Sequence, residues 1–234
     1  MTSAAILRTS IEARLPSAFA LSKRIARQTI LTGIAEIDAL TSGIPLSALT
    51  EICGSNLASS GKTSLLHSLL ARAAEKYFCA LVDAGDSFDP VSAEGAGVNF
   101  SRLLWVRCGR SRQKLPPMEQ AFKAADMLLQ SGGFGLIVMD LSCIPEKIVR
   151  RVPLSSWFRF SRVLEKQITA LVVIGQQPHA TSCAELVLEL KGKPSAWSGK
   201  LLTHFHVAAE VARAREKKPM QSARPDFRLK SQWA

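Results

Sequence analysis

The sequence lacks any apolar run of about eighteen residues, the length that a membrane-spanning helix requires. It also lacks the apolar segment and cleavage site of a secretory signal peptide, and no two of its five cysteines form a Cys-X-X-Cys pair. These absences argue against membrane insertion, a disulfide framework and a structural zinc site. We therefore expect a cytoplasmic protein with no membrane partner, although the Arg-rich, acid-poor N-terminus is also typical of an organellar transit peptide.

The positive charge of the chain is concentrated at its two ends. The net charge is +11. Residues 1–28 contain five basic residues and one acid, residues 191–234 contain ten and three, and residues 29–190 contain fifteen of each sign. Basic ends attract nucleic acid or acidic protein surfaces through long-range electrostatics. The predicted contacts with DNA or a partner are Arg213, Arg215, Lys217 and Lys218. The alternative is that the basic ends only increase solubility.

Apolar strands and amphipathic helices alternate along the central part of the chain. The predicted strands are residues 49–53, 79–83, 103–106, 135–140, 170–175 and 184–190, and the longer predicted helices are residues 118–130 and 157–167. A hairpin is expected from His204 onward. Buried strands separated by helices predict an α/β fold with a mostly parallel central sheet and helices on both faces.

The same pattern divides the chain into three parts. Residues 1–28 are predicted to form a basic helical segment, residues 29–212 the core domain, and residues 213–234 a basic tail that contains a last strand. Hydrophobic residues make up 47% of the sequence and charged residues 21%. This balance is typical of a folded globular domain and excludes a disordered chain.

A candidate phosphate-binding loop follows the strand at residues 49–53 and leads into a helix. Backbone N–H groups and a helix N-terminus can face an anion in such a loop, while a Lys reaches the phosphates and a hydroxyl binds Mg²⁺. Lys62 and Thr63 suit these two side-chain roles. The usual spacing GxxxxGK[ST] is not met, because Asn56 stands where the first Gly belongs and Gly54 requires a longer loop. The alternative is a plain helix start without a ligand.

A carboxylate at the end of a second buried strand supports the phosphate-binding interpretation. Residues 135–140 are apolar until Asp140, and an Asp at the C-terminal end of a strand beside the loop can hold magnesium through water. Taken alone this signal is weak, since many strands end in Asp. Its combination with Lys62 and Thr63 makes it a candidate magnesium ligand.

The order of these segments resembles the RecA family over most of the chain. The matching segments are residues 33–45, 50–54, 59–63, 81–84, 89–90, 97–98, the strand that ends at Asp140, residues 173–176 and the stretch 212–229. The resemblance implies a RecA-like P-loop domain that binds ATP with Mg²⁺. The residues that it places at the nucleotide are Ser59, Ser60, Gly61, Lys62, Thr63, Asp140 and Gln176, with Thr63 and Asp140 at the metal.

The chain departs from that family at positions that matter for hydrolysis. In RecA-like enzymes the segment resembling residues 83–85 carries a Glu that activates water, whereas Gly85 has no side chain. Asp86 can replace this Glu only if the backbone shifts. The aromatic residue that stacks on adenine in the family falls at Ser92. The resemblance therefore implies a P-loop domain without efficient ATP hydrolysis, and no residue is assigned a catalytic role.

The segments that hold single-stranded DNA in recombinases are also reduced. The second of these loops corresponds to residues 177–183, and the first is short but basic at Lys147, Arg150 and Arg151. Strand exchange by a filament is therefore not expected.

Compact RecA-like chains with eroded ATPase motifs resemble the ImuA group, whose members are also described as SulA-like. This resemblance implies an accessory role in translesion synthesis and induced mutagenesis during the SOS response to DNA damage. It further implies a polymerase-like ImuB-type protein, RecA, or both as partners, in the bacterial cytoplasm at the nucleoid.

Two other functions remain open on the sequence. In the first, the chain is a DNA-dependent ATPase or recombinase paralogue in which Lys62, Thr63 and Asp140 still bind Mg-ATP. In the second, it is a cell-division inhibitor of the SulA type, which would bind a tubulin-like partner without nucleotide. The basic ends argue against the second of these functions.

Overall fold

The computed structural model describes residues 28–55, 59–109, 115–198, 201–214 and 226–230. The strands are β1 (Thr29–Ile30), β2 (Ile44–Pro45), β3 (Ala48–Cys53), β4 (Cys79–Asp83), β5 (Leu103–Arg107), β6 (Leu136–Asp140), β7 (Ala170–Gly175), β8 (Ala184–Ser198), β9 (Leu201–Ala214) and β10 (Asp226–Lys230). The α-helices are α1 (Ala35–Thr41), α2 (Lys62–Ala74), α3 (Pro90–Gly95), α4 (Pro117–Ser131), α5 (Glu146–Val149) and α6 (Leu154–Leu164).

Eight strands form the central sheet, in the order β10-β9-β8-β3-β7-β6-β4-β5. The six strands from β8 to β5 run parallel, while β9 and β10 are added antiparallel at one edge. Every residue of β3 and β7 is buried, and β7 is an apolar run without alternation, because helices cover both faces of these strands. The predicted α/β fold with a mostly parallel sheet is thus confirmed.

Two hydrophobic cores fill the space between the sheet and its helices. On one face the leucines of α2 pack against alternate residues of the strands, such as Ile52 and Val172. On the other face α4 and α6 cover the sheet, with Phe122, Trp157 and Phe160 in mutual ring contact. Because the strand side chains alternate between the two cores, one register fixes both faces of the sheet.

The loop between β7 and β8 is short and held at its base. The side chain of Glu51 in β3 is 2% exposed, and its Oε1 accepts hydrogen bonds from the backbone N–H groups of His179 at 2.7 Å and Ala180 at 2.9 Å. From the neighbouring β9, Nη1 of Arg213 donates to the carbonyl oxygen of Thr181 at 2.5 Å. A loop that is short and bonded in this way is part of the scaffold.

The C-terminal part of the sheet differs in detail from the sequence expectation. Strand β8 is fifteen residues long and the hairpin partner β9 begins at Leu201, before the expected start at His204. The predicted boundary between residues 212 and 213 falls inside β9, since ladder pairing with β8 continues to Ala214. The last strand expected in the tail is β10, which pairs with β9. The predicted N-terminal helical segment lies outside the described residues, apart from residue 28.

Among the described helices, none is both long enough and apolar enough to cross a membrane.

Replacing Glu51 by Leu should destabilise the domain, whereas Glu51→Gln should not. Leu removes the acceptor of two buried backbone N–H groups, and the expected loss is about 2–4 kcal/mol of unfolding free energy. Gln keeps an oxygen acceptor and removes the buried charge. Urea unfolding of the wild type and the two variants checks this. Equal stabilities of the Glu51→Leu and Glu51→Gln variants would contradict the assignment of the loop anchor to this carboxylate.

The pH dependence of the Glu51→Gln effect has a predicted sign. Burial raises the pKa of Glu51 from its ordinary value of 4.5. The hydrogen bonds from Ala180 and His179 act in the opposite direction and are the smaller effect. The contribution of Glu51 to the unfolding free energy of the wild type is therefore fully present below the ordinary pKa, and it is lost as pH rises through the raised pKa. The Gln variant should gain stability relative to wild type over that range and then hold a constant advantage, as measured by urea unfolding at a series of pH values.

Candidate functional site

A cleft of about 510 Å³ lies at the C-terminal ends of the parallel strands, between the start of α2 and the ends of β4, β6 and β7. Its described lining residues are Ser55, Ser59, Ser60, Gly61, Lys62, Thr63, Ser64, Leu66, Ser87, Phe88, Asp140, Ser142, Cys143 and Ile174. Six of the predicted nucleotide-site residues, from Ser59 to Thr63 together with Asp140, therefore meet in one place. This edge of a parallel α/β sheet is where ligands bind in such folds.

The loop before α2 has the local geometry of an anion-binding turn. Gly61 precedes the helix with a left-handed backbone (φ 78°), a conformation that favours glycine. Gly61, the N-cap residue of α2, has no side chain that could bond to the first N–H groups of the helix, and this helix start lines the cleft. The far side of the loop is braced by β8, since a Cβ at Gly192 would collide with the carbonyl oxygen of Ser59.

The ammonium group of Lys62 lies between two strand ends. Its Nζ donates to the carbonyl oxygens of Gly54 at 2.6 Å and Gly175 at 3.0 Å. Burial lowers the pKa of Lys62, and the nearby Asp140 opposes that shift. The cation thus links the ends of β3 and β7 at the floor of the cleft.

Asp140 is partly buried opposite the loop. Its Oδ1 accepts the N–H of Ser142 at 2.9 Å, which fixes the turn after β6. Burial raises the pKa of Asp140, while the hydrogen bonds from Ser142 and the charge of Lys62 act in the other direction. The exposed Thr63 hydroxyl lines the same cleft.

These groups fit a magnesium-bound phosphate chain. A hydroxyl and a carboxylate are oxygen ligands of the kind that Mg²⁺ prefers, and they would come from Thr63 and Asp140. Phosphate oxygens would be received by the uncapped N-terminus of α2 and by Lys62, which can exchange a carbonyl partner for an anion. Among the described residues no group of three or more His, Cys, Asp or Glu side chains could hold a metal on its own, so the metal would need phosphate oxygens or water to complete its ligands.

The position expected to carry the water-activating Glu is closed by another side chain. A Cβ added at Gly85 would collide with Cβ of Cys143, which belongs to the turn after β6 and lines the cleft. The space that a side chain at residue 85 would occupy is therefore filled by Cys143. Reintroducing a carboxylate there requires the turn to move.

Asp86 does not replace the missing carboxylate. Its Oδ1 accepts a hydrogen bond of 2.6 Å from Nε of Arg107 in β5, and Asp86 is absent from the described lining of the cleft. The shift of the backbone that would bring it to the phosphates has not occurred.

Three other predicted positions lie away from the main cleft. The side-chain amide of Gln176 donates to the carbonyl oxygens of Ser142 and Ile144, and Gln176 lines a smaller cavity of about 250 Å³ on the other side of the loop. Ser92 is in α3, where its hydroxyl bonds to Asp89. Arg213 is in β9 and is bonded to the 177–183 loop, while the predicted contacts Arg215, Lys217 and Lys218 lie outside the described residues.

The lining residues that sequence reasoning missed include Ser87, Ser142 and Cys143. Ser142 follows the strand carboxylate by two residues, a spacing typical of the turn that an Asp side chain forms with its own backbone, so this signal was available. No signal in the sequence joins Cys143 to Gly85, because the two residues come together only through the parallel pairing of β4 with β6.

The collision at Gly85 can be measured by a double-mutant cycle. Gly85→Ala in the wild-type background should cost about 1–3 kcal/mol of unfolding free energy, because the new methyl group overlaps Cys143. The same change in a Cys143→Gly background should cost clearly less. Additive effects of the two changes in chemical denaturation would show that the two positions do not compete for the same space.

Comparison with known proteins agrees with this fold. A sequence model of the RecA N-terminal domain matches residues 17–148, which is more than half of the chain. The chain is similar to Protein RecA of Colwellia psychrerythraea, with 37% identity over 116 residues that cover 48% of this chain and 31% of the relative. It is 35% identical to Protein RecA of Chloroflexus aurantiacus over 122 residues, or 51% of this chain and 32% of that protein.

Protein RecA of Rickettsia massiliae is 38% identical over 99 residues, which cover 42% of this chain and 26% of the relative. The matched region thus spans about a third or less of the curated relatives. The family match at residues 17–148 includes the phosphate-binding loop and Asp140. On this match and the fold, the chain belongs to the RecA family through its RecA N-terminal domain.

Proposed function

We propose that this chain is a RecA-like accessory protein of bacterial DNA-damage tolerance, which binds ATP with Mg²⁺ but does not hydrolyse it efficiently. Its place of action is the cytoplasm at the nucleoid, during translesion synthesis and induced mutagenesis in the SOS response. Its partners are a polymerase-like ImuB-type protein, RecA, or both. In this role it is an adaptor rather than a recombinase.

The single observation that carries the proposal is the closed position at Gly85. Hydrolysis of a phosphoanhydride needs a group that orients or deprotonates the attacking water. Gly85 stands where the water-activating carboxylate is expected, and it has no side chain. The space that a side chain would need at Gly85 is occupied by Cβ of Cys143, and the carboxylate of the adjacent Asp86 is paired with Arg107. The groups that would bind the phosphates and magnesium are retained, whereas the group that would activate water is missing. This combination suits a protein that binds a nucleotide without using it as a substrate.

The short loop at residues 177–183 supports an adaptor over a strand-exchange enzyme. A loop that encloses DNA must be long enough to reach it and free to move. Here Glu51 and Arg213 bond the loop to two strands. A loop fixed in this way is better suited to a permanent contact with a protein than to enclosing a DNA strand that moves during strand exchange.

A second candidate function is a DNA-dependent ATPase. It is favoured by one observation, which is that Lys62, Thr63 and Asp140 all line the same cleft. In that case another group would have to activate the water.

ATP binding and turnover distinguish the two candidates. We expect the purified protein to bind Mg-ATP and to show no turnover above that of Lys62→Ala, with or without single-stranded DNA, because the base is missing. Calorimetry gives the binding and phosphate release gives the turnover. DNA-stimulated phosphate release that is lost in Lys62→Ala would overturn the adaptor proposal in favour of a working ATPase.

The basic tail is proposed as the DNA contact, and salt dependence tests it. Replacing Arg215, Lys217 and Lys218 by Ala should weaken binding to single-stranded DNA and reduce the slope of log K against log salt by about 2 units, since each phosphate contact contributes roughly 0.7 for a single strand. Arg213→Ala is the matched control, because its guanidinium is bonded to Thr181. An unchanged slope in the triple variant would exclude the tail as the contact.

A further inference from the structure

Hydroxyl groups dominate the walls of the main cleft. Seven of its fourteen described lining residues are Ser or Thr, and their side chains donate to and accept from oxygen-rich ligands. The only charged residues in that described lining are Lys62 and Asp140. Such a wall, together with the uncapped start of α2, suits a chain of phosphates and its magnesium ion.

The same lining offers little to a nucleobase. A base is held by a flat ring or guanidinium against its face and by amide groups against its edge. The described lining contains no Asn, Gln, Arg, Tyr or Trp, and its one ring is that of Phe88. That side chain is 8% exposed, and its ring makes edge contacts with His67, Phe100 and Trp105. This ring is thus largely enclosed by three others.

The neighbouring helix α3 does not supply the missing surface. Ser92 bonds to Asp89, and the Asp89 carboxylate also caps the helix through the N–H groups of Val91 and Ser92. This places a capping carboxylate, and no ring, at the start of α3.

From this contrast we infer that the cleft selects its ligand by the polyphosphate group and not by the base. Its ligand class is the magnesium complex of a linear triphosphate, whether or not a nucleoside is attached. The inference rests on the proposed retention of nucleotide binding and names the part of the nucleotide that is recognised.

The physical consequence is that the cleft should bind nucleoside triphosphates with different bases equally well. When the base stays in solvent, its chemical identity does not enter the binding free energy, so ligands with the same phosphate chain bind alike. Removal of the base and sugar then also costs little. Removal of the phosphates costs nearly all of the affinity, since it leaves nothing for Lys62 and the α2 N-terminus to bind.

Calorimetric titration of the full chain with the magnesium complexes of ATP, GTP, UTP and inorganic tripolyphosphate tests this inference directly, with adenosine as a fifth probe. We expect the first four dissociation constants to agree within about threefold, a difference well under the 1.4 kcal/mol of a tenfold change, and adenosine not to bind. Lys62→Ala should weaken all four together. Phe88→Leu should leave the ratio of ATP to tripolyphosphate affinity unchanged, whatever it does to stability, and circular dichroism verifies that each variant is folded.

Two results would overturn the inference. ATP that binds about tenfold or more tightly than GTP, UTP and tripolyphosphate would show that the base is recognised, while leaving a non-hydrolysing adaptor intact. Failure of every triphosphate to bind the wild-type protein would show that the cleft takes no polyphosphate, and it would also overturn the ATP-binding part of the proposed function. In that event the absence of turnover and the contact with a protein partner, which are measured separately, would still decide the adaptor role.

Discussion

The position of the Lys62 ammonium group is the constraint on which the site depends. It bonds to the carbonyl oxygens at the ends of β3 and β7, two neighbouring parallel strands. A buried cation needs polar partners, and here the backbone itself provides them. The cation thereby ties the end of β3 to the end of β7, and an anion can replace one of the two carbonyl oxygens.

Much of the fold followed from the period of the apolar residues. The strand at residues 170–175 and the strand at residues 79–83 have the predicted bounds. Each is an apolar run that closes with one residue of another kind, Gly175 or Asp83. Residues 59–63 and Asp140 were brought together for an equally local reason. In a parallel sheet the loops that follow the strands emerge at one edge, so the strand assignments imply the neighbourhood.

What the sequence did not reveal depends on contacts between distant segments. Gly85 could be recognised as a position without a side chain, but not as one whose space is filled by Cys143. The two residues are 58 positions apart in the chain, and only the order of strands in the sheet brings them together. Arg213 was assigned to a basic tail because its neighbours are basic, whereas the register of β9 brings it beside the 177–183 loop. The distribution of charge along a sequence does not show which strands pair, and strand pairing decides which charged side chains are already bonded within the fold.

The tight packing of Gly192 against Ser59 has a mechanical meaning. Because no side chain separates the two backbones, the phosphate-binding loop cannot move toward β8 unless β8 moves with it. Strand β8 continues for nine residues beyond its last pairing with β3 and carries β9 with it in a long hairpin. Gly192 lies in this extension, so any side chain introduced there would push the phosphate-binding loop and the hairpin apart.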